Sequence, residues 1–260
     1  MASFSKGLRA QVKVIQALIM RELVTRFGRD NIGFLWIMVE PLLFAGLVGI
    51  VWTIAGGHNS AGISVIAFVA TGYIPLTFLR HSFSRSAKTF MSNSALLYHR
   101  QIKVLDFIFV RVSIEAIGAM AAYIFAGIVL YFFGSISAPE NVGAIVLGWF
   151  VYFFFVISVS TVLAPLSEMS EVVEKLIPIS TYVAIPFSGI FNLAAWLSPS
   201  MRDALMWSPL VSGMELMRYG AFGDVVTPYY DLPKAFGISI ACLLAGLTLC
   251  RRVRRTMTVS

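Results

Sequence analysis

Charged residues are scarce in this sequence. Only 13% of its 260 residues are Asp, Glu, Lys or Arg, whereas 58% are hydrophobic. A soluble domain carries about 25% charged residues, so the composition excludes an ordinary soluble protein and indicates an integral membrane protein. There are only two cysteines, Cys242 and Cys250, and they form no metal-binding pattern. We interpret both as small apolar residues of the last apolar segment.

Several catalytic signatures are also missing. The sequence has no G-x-x-x-x-G-K-[ST] phosphate loop and no H-E-x-x-H zinc motif. Its three histidines are scattered, and its one acidic cluster, at residues 168–174, is typical of a solvated helix start. The N-terminus lacks the pattern of a removable signal peptide. We therefore expect no metal, no cofactor and no nucleic acid to bind this chain, and no enzymatic activity of its own.

Six segments are apolar and long enough to cross about 30 Å of hydrocarbon. Backbone polar groups in lipid must bond to one another, so these segments are predicted to be helices. The predicted fold class is an all-α integral membrane protein with six transmembrane helices. The approximate spans are residues 33–55, 63–79, 104–133, 142–166, 176–196 and 234–250.

The basic residues predict the orientation of these spans. Sixteen of the 20 Lys and Arg residues fall in the N-terminal tail, the C-terminal tail and the loops after the second and fourth spans, and only three fall on the opposite side. Lys and Arg accumulate on the cytoplasmic side of membranes, so both termini are predicted to be cytoplasmic. The predicted organisation is a tail at 1–32, a six-span domain at 33–250 and a basic tail at 251–260.

Two further stretches are predicted to be helical outside the spans. Residues 11–27 carry apolar side chains at spacings of three and four, which indicates a basic amphipathic helix on the inner membrane surface. Residues 198–220 contain two Ser-Pro pairs, each typical of a helix start, and end at Gly220, typical of a helix stop. These two short external helices are apolar enough to dip into the membrane interface or to cover a channel mouth.

Four motifs resemble a known family in the same order along the chain. "RELVTRFGRDNIGFLWIMVEPLL" is similar to the first span of ABC type-2 exporters of capsular polysaccharide and O-antigen. "LLYHRQIKVLDFIFVRVSIE", "SEMSEVVEKLIPI" and "WSPLVSGMELMR" resemble later segments of the capsule exporters, with Ser208 in place of the usual asparagine. The chain is thus identified as similar to the capsule permeases, and more distantly to the O-antigen permeases.

The resemblance implies a function and a set of partners. It implies a bacterial inner-membrane permease that dimerises with a second copy of itself and works with two copies of a separate ATPase, which binds ATP and Mg. The substrate would be a lipid-linked polysaccharide, and a periplasmic adaptor and an outer-membrane export protein would complete the path. Export of O-antigen or teichoic acid is the nearest alternative. A secondary carrier and a glycan-assembly enzyme are less favoured, because neither inverted repeats nor an acidic metal site is recognised.

Candidate functional residues fall into three groups. Charges inside spans are expensive and usually face protein or water, and aromatic rings can pack on sugars. The candidate substrate path therefore comprises Trp36, Glu40, Tyr73, Arg111 and Glu115, with Pro41 expected to bend the first span. Arg111 and Glu115 are four residues apart; they could pair with each other, or Arg111 could reach Glu40 or another subunit.

The candidate ATPase-coupling residues, on the cytoplasmic loop at 80–103, are Leu96, Leu97, Tyr98, His99 and Arg100, with contact to the membrane surface as the alternative. The candidate external gate comprises Trp207, Leu210, Glu215 and Arg218.

Overall fold

The regular structure of the chain is helical throughout the described ranges. The structure is a computed structural model that describes residues 2–27, 32–55, 62–87, 89–93 and 102–257, and the all-α prediction is confirmed there. The α-helices are α1 (Ala2–Phe27), α2 (Ile32–Ile54), α3 (Val65–Ser86), α4 (Val104–Phe132), α5 (Val142–Met169), α6 (Glu171–Val183), α7 (Pro199–Leu205), α8 (Pro209–Phe222) and α9 (Leu232–Met257). Short 3-10 turns occupy Met91–Asn93, Ala194–Trp196 and Gly223–Val225.

Three helices are long and apolar enough to span a membrane. They are α4, α5 and the part of α9 from Leu232 to Val253, and they confirm the third, fourth and sixth predicted spans. Helices α2 and α3 cover the first two predicted spans, and α3 continues beyond position 79 to Ser86. In α2 the apolar stretch among the described side chains is shorter, Val39–Trp52. The count of six spans therefore stays a prediction.

The fifth predicted span is interrupted. Helix α6 has 13 residues, so it is about 20 Å long, which is too short to cross the hydrocarbon core alone. The chain then turns, with Gly189 at a φ of 75°, before the 3-10 turn at Ala194–Trp196. A single apolar helix over 176–196 was therefore the wrong expectation, because Pro186 and Gly189 both favour a break.

Helix α8 is buried in the protein and packs closely against α5. A Cβ at Gly220 would lie 2.5 Å from the Asn141 carbonyl oxygen, and one at Gly213 would lie 3.2 Å from the Tyr152 amide nitrogen. The two helices are thus antiparallel and in close contact. Tyr152 is 11 residue steps beyond the N-cap residue Asn141, so the contact extends over about 16 Å of α5. The position of both short helices on the external side of the membrane stays a prediction.

The predicted end of α8 also moves. Gly220 remains helical, and the helix ends at Phe222, followed by Gly223 as its C-cap with a φ of 61°. Gly220 allows α8 to approach α5 closely and does not end the helix. Helices α7 and α8 do begin at Pro199 and Pro209, as the Ser-Pro pairs predict, but neither preceding serine makes a side-chain capping hydrogen bond.

Helix α1 is longer than the predicted amphipathic helix and packs against protein. It begins at Ala2 instead of position 11. Its apolar side chains contact the start of α4, with Leu18 at the centre of a cluster that includes Phe107 and Val110. Val12 is one of the apolar residues whose spacing predicts the amphipathic helix, yet it is 46% exposed. The packed face is therefore turned toward α4, and its members on α1 are Val14, Ile15, Leu18, Ile19 and Leu23.

Candidate substrate path and coupling site

Arg111 joins three separate parts of the chain. Its Nε lies 3.4 Å from Glu22 Oε1 on α1, and both side chains are largely buried. The same guanidinium donates hydrogen bonds to the Arg85 carbonyl at 3.1 Å and to Ser92 Oγ at 3.0 Å. It therefore connects α1, α4, the end of α3 and the 3-10 turn that follows α3.

A second contact attaches the same turn to α1. Arg21 Nη1 donates to Asn93 Oδ1 at 2.9 Å, and Asn93 is buried. At the start of α4, Gln11 Nε2 donates to Asp106 Oδ1 at 2.6 Å. These polar contacts, together with the apolar face of α1, hold the N-terminal helix firmly on the α3–α4 region. We name the polar contacts that Arg21 and Glu22 of α1 make with Asn93 and Arg111 the α1 clamp.

Glu115 is nearly inaccessible and is bound by α3. Its side chain is 1% exposed, with Oε1 lying 3.0 Å from Arg85 Nε and Oε2 lying 3.6 Å from His81 Nδ1. The ion pairs described for Arg111 and Glu115 thus reach α1 and α3 respectively, which the helical spacing of four did not predict. Of the two, Glu115 lies deeper in the protein.

Tyr73 belongs to a cluster of rings and charges between α2, α3 and α6. Its ring stacks on Phe44 with a centroid distance of 4.0 Å. Two helical turns further along α3, Arg80 donates a hydrogen bond to the Tyr182 hydroxyl at 2.9 Å. The guanidinium carbon of Arg80 lies 4.6 Å from the centroid of the same ring. Arg80 and Glu40 both lie within electrostatic range of the Tyr73 hydroxyl. We name this group, Glu40, Phe44, Tyr73, Arg80 and Tyr182, the aromatic cluster.

The structure thus brings together two of the five predicted path residues in the aromatic cluster and places Arg111 and Glu115 elsewhere. Helix α2 contains position 36, but the side chain of Trp36 lies outside the described residues. Sequence reasoning missed Phe44, Arg80 and Tyr182. The sequence did contain a signal for Arg80. This basic residue directly follows the apolar part of the second predicted span, and helix α3 continues past it to Ser86.

The predicted coupling residues, from Leu96 to Arg100, lie outside the described residues, so their roles stay predictions. Their immediate neighbours on both sides are described. Asn93 precedes the segment and is held by the α1 clamp, while Ile102 follows it and packs against the cluster formed by Leu18 of α1 and by Phe107 and Val110 of α4. The described residues that flank positions 94–101 thus contact both α1 and α4.

The predicted gate residues occupy two different environments. Leu210, Glu215 and Arg218 are buried in α8, whereas Trp207 is 64% exposed before that helix begins. Lys234 Nζ lies 5.1 Å from the Trp207 ring and 3.0 Å from Asp231 Oδ2. Hydrogen bonds from Lys234 hold the pKa of Asp231 below its ordinary range. Trp207 therefore lies beside the start of α9, apart from the other three.

Glu215 and Arg218 of α8 form hydrogen bonds with the backbone of the segments before and after this helix. Glu215 accepts hydrogen bonds from the Ala194 amide at 3.0 Å and the Tyr229 amide at 3.3 Å. Arg218 is fully buried and donates to the carbonyls of Gly189 and Ile190. Carbonyls released by a broken helix in a membrane protein need such donors. Arg218 thus compensates for the interruption after α6.

Comparisons with known proteins now define the family. Residues 13–222 match the ABC-2 type transporter family. The chain is 35% identical over 249 residues, 96% of its length and 94% of the relative's, to the capsule polysaccharide export inner-membrane protein BexB of Haemophilus influenzae. It is 34% identical over 250 residues, again 96% and 94%, to the capsule polysaccharide export inner-membrane protein CtrC of Neisseria meningitidis serogroup A. It is 25% identical over 258 residues, 98% of both chains, to the polysialic acid transport protein KpsM of Escherichia coli. The chain belongs to the ABC-2 type transporter family.

Proposed function

We propose that this chain is the membrane-spanning permease subunit of an ATP-driven exporter that moves lipid-linked capsular polysaccharide from the cytoplasm to the periplasm. The carrying observation is its 35% identity to a capsule polysaccharide export protein over 96% of the chain. The similarity covers nearly the whole chain and not one module alone. A shared architecture and transport role is the simplest cause of such colinear similarity.

The aromatic cluster supports a polar passage at the face of α2, α3 and α6. Tyr182 is 58% exposed and binds the Arg80 guanidinium. Arg80 directly follows the second predicted span, and a charge at this level is better accommodated by water or protein than by lipid, so this face suits a water-filled path or a second subunit. Large apolar side chains exposed beside it, such as Leu47 and Ile179, also suit burial by a second copy. We infer a homodimer that encloses the path.

The chemistry of the aromatic cluster suits a sliding sugar chain. The stacked rings of Phe44 and Tyr73 offer flat apolar surfaces on which the C–H faces of sugars can pack. Arg80 and Glu40 add polar groups at the edge of these surfaces. Such a wall orients a polymer without holding any one sugar tightly, which favours stepwise movement of a repetitive chain.

The energy source lies outside this chain. A partner ATPase, two copies for each dimer, would bind ATP and Mg and contact the segment at 94–101. Closure of the ATPase would move this segment, and the α1 clamp would pass the motion to α1 and α4. A periplasmic adaptor and an outer-membrane polysaccharide export protein would receive the polymer. The chain itself is a transport subunit of the bacterial inner membrane.

The proposal is tested by transport in sealed inside-out vesicles that contain the full chain and its ATPase. ATP is expected to drive accumulation of a lipid-linked capsular polysaccharide, and an ATPase variant unable to hydrolyse ATP serves as the control. Transport driven by an ion gradient without ATP would indicate a secondary carrier instead. Transport of O-antigen or teichoic acid glycolipids in preference to capsular glycolipid would place the chain in the neighbouring export class.

A further inference from the structure

A long apolar groove runs between α3, α4 and α5. It is a cavity of about 710 Å³, and along α4 its lining extends from Ala116 to Phe132. Sixteen residue steps of helix measure about 24 Å, whereas one leaflet of the hydrocarbon core is about 15 Å thick. The groove is therefore long enough for an acyl chain of one leaflet. Its central lining residues are Ile74, Met120, Ile124, Ile145, Val146 and Phe150.

The groove continues into a polar cavity at the connection between α4 and α5. This second cavity measures about 820 Å³ and shares Tyr131, Phe132 and Ser137 with the groove. Further lining residues include Ser135 and Glu140. Among the described lining residues, Glu140 is the one that carries a charge. An apolar groove thus meets an open polar cavity that presents hydroxyls and one exposed carboxylate, that of Glu140.

We propose that the groove and the polar cavity together form a binding site for one membrane phospholipid with an ammonium headgroup. An acyl chain would occupy the apolar groove, in the leaflet that contains the α4–α5 connection. The Ser135 and Ser137 hydroxyls can donate hydrogen bonds to the phosphate, and the Glu140 carboxylate can accept from the ammonium. A headgroup with only negative charge would meet Glu140 without a basic lining residue in the described part of the cavity to compensate.

The headgroup assignment is tested by competition between two lipids. The full-length chain in mild detergent is incubated with equal amounts of phosphatidylethanolamine and phosphatidylglycerol, and bound lipid is identified by native mass spectrometry. Phosphatidylethanolamine is expected to be favoured about tenfold, the effect of one charge-assisted hydrogen bond. Glu140→Gln is expected to abolish this preference. Asp203→Asn, at an exposed acidic residue outside both cavities, is expected to keep it.

The groove itself is tested by filling it. A Cβ at Gly127 would meet no heavy atom within 4 Å, although Gly127 lines the groove, so Gly127→Phe can enter the open space without a backbone clash. We expect a large loss of retained lipid, with Gly127→Leu giving a smaller loss. Gly237→Phe on α9 is the matched control, because a Cβ at Gly237 is equally unobstructed.

Three results would overturn the proposal. The first is unchanged lipid retention in folded Gly127→Phe and Gly127→Leu variants, with folding checked by size-exclusion chromatography. The second is equal binding of both phospholipids to the unsubstituted chain, or a preference that survives Glu140→Gln. The third is dissociation of an oligomer by the Gly127 variants, which would make the groove an interface between copies of the chain instead of a lipid site.

Discussion

At the residue scale, Glu115 illustrates what an acidic group needs inside a membrane helix. It is 1% exposed and lies 3.0 Å from Arg85, whose side chain is 40% exposed. Removing one partner of a buried pair leaves the other uncompensated, and the partial exposure of Arg85 moderates that cost. We expect Glu115→Ala to lower the free energy of unfolding by about 2 kcal/mol, measured by thermal unfolding of the purified permease.

The control for this experiment must be chosen from the structure. Arg202 would be a poor reference, because it donates to the Ala194 and Leu197 carbonyls and lies over the Tyr229 ring. Asp203→Ala, at an exposed position of α7, is the better matched loss of charge and should leave unfolding unchanged. An equal effect of both substitutions would show that Glu115 contributes no more than a surface charge.

Tyr73 is the residue at which ring stacking and export can be separated. Tyr73→Phe keeps the ring that stacks on Phe44, whereas Tyr73→Ala removes a contact surface for the sugar chain. We expect Tyr73→Ala and Trp36→Ala to reduce polysaccharide export several-fold while Tyr73→Phe retains most of it. Export is measured in vesicles, and cross-linking measures dimer assembly, which should persist. Normal export by both alanine variants would exclude these rings from the path.

At the element scale, the contact between α5 and α8 depends on glycine. A Cβ at Gly220 would lie 2.5 Å from the Asn141 carbonyl oxygen and 2.8 Å from the Ile145 amide nitrogen, both backbone atoms with little freedom to move. We expect Gly220→Ala to destabilise the protein by about 1 to 3 kcal/mol, measured by thermal unfolding. Gly237→Ala on α9 has open space and should be neutral or slightly stabilising. Equal melting of the two variants would contradict the close packing.

The long apolar helices were predictable because their signal is local. Helices α4 and α5 begin within a residue of the predicted positions, since uninterrupted apolar sequence of that length has few alternatives in lipid. The interruption after α6 was missed by hydropathy although Pro186 and Gly189 favour a break locally, and the donor that stabilises it, Arg218, is distant in sequence and donates to the Gly189 carbonyl. Hydropathy alone contains no information about such a donor.

The candidate site was less predictable for the same reason. Helical spacing identified Arg111 and Glu115 as neighbours on α4, but the partners described for them lie on α1 and α3. Tyr73 was identified as an aromatic residue within a span, yet its stack with Phe44 requires knowledge of how α2 packs on α3. Pairwise geometry between helices is set by tertiary packing, which a one-dimensional pattern does not specify.

At the scale of the whole molecule, the orientation in the membrane follows from the basic residues and can be tested chemically. In a cysteine-free background, single cysteines at positions 59 and 224 should react with a membrane-impermeant reagent added outside cells. A cysteine at Ser92, which is exposed, should react only after the membrane is permeabilised. The positive-inside rule supplies the reason. External labelling of position 92 would reverse the proposed topology.

The whole molecule must also receive energy from its partner ATPase, and the segment at 94–101 is the proposed point of contact. The α1 clamp attaches the preceding turn to α1 and α4 through Asn93 and Arg111. Leu97→Asp or Tyr98→Asp would place a charge in the proposed apolar interface, where an unpaired buried charge is strongly unfavourable. We expect either variant to lower ATPase co-purification or substrate-stimulated ATP hydrolysis several-fold. Met201→Asp, at an exposed apolar position of α7, adds the same charge on the predicted opposite side and should remain coupled. Full coupling in both loop variants, with normal amounts of each in the membrane, would exclude the segment as the site of transmission.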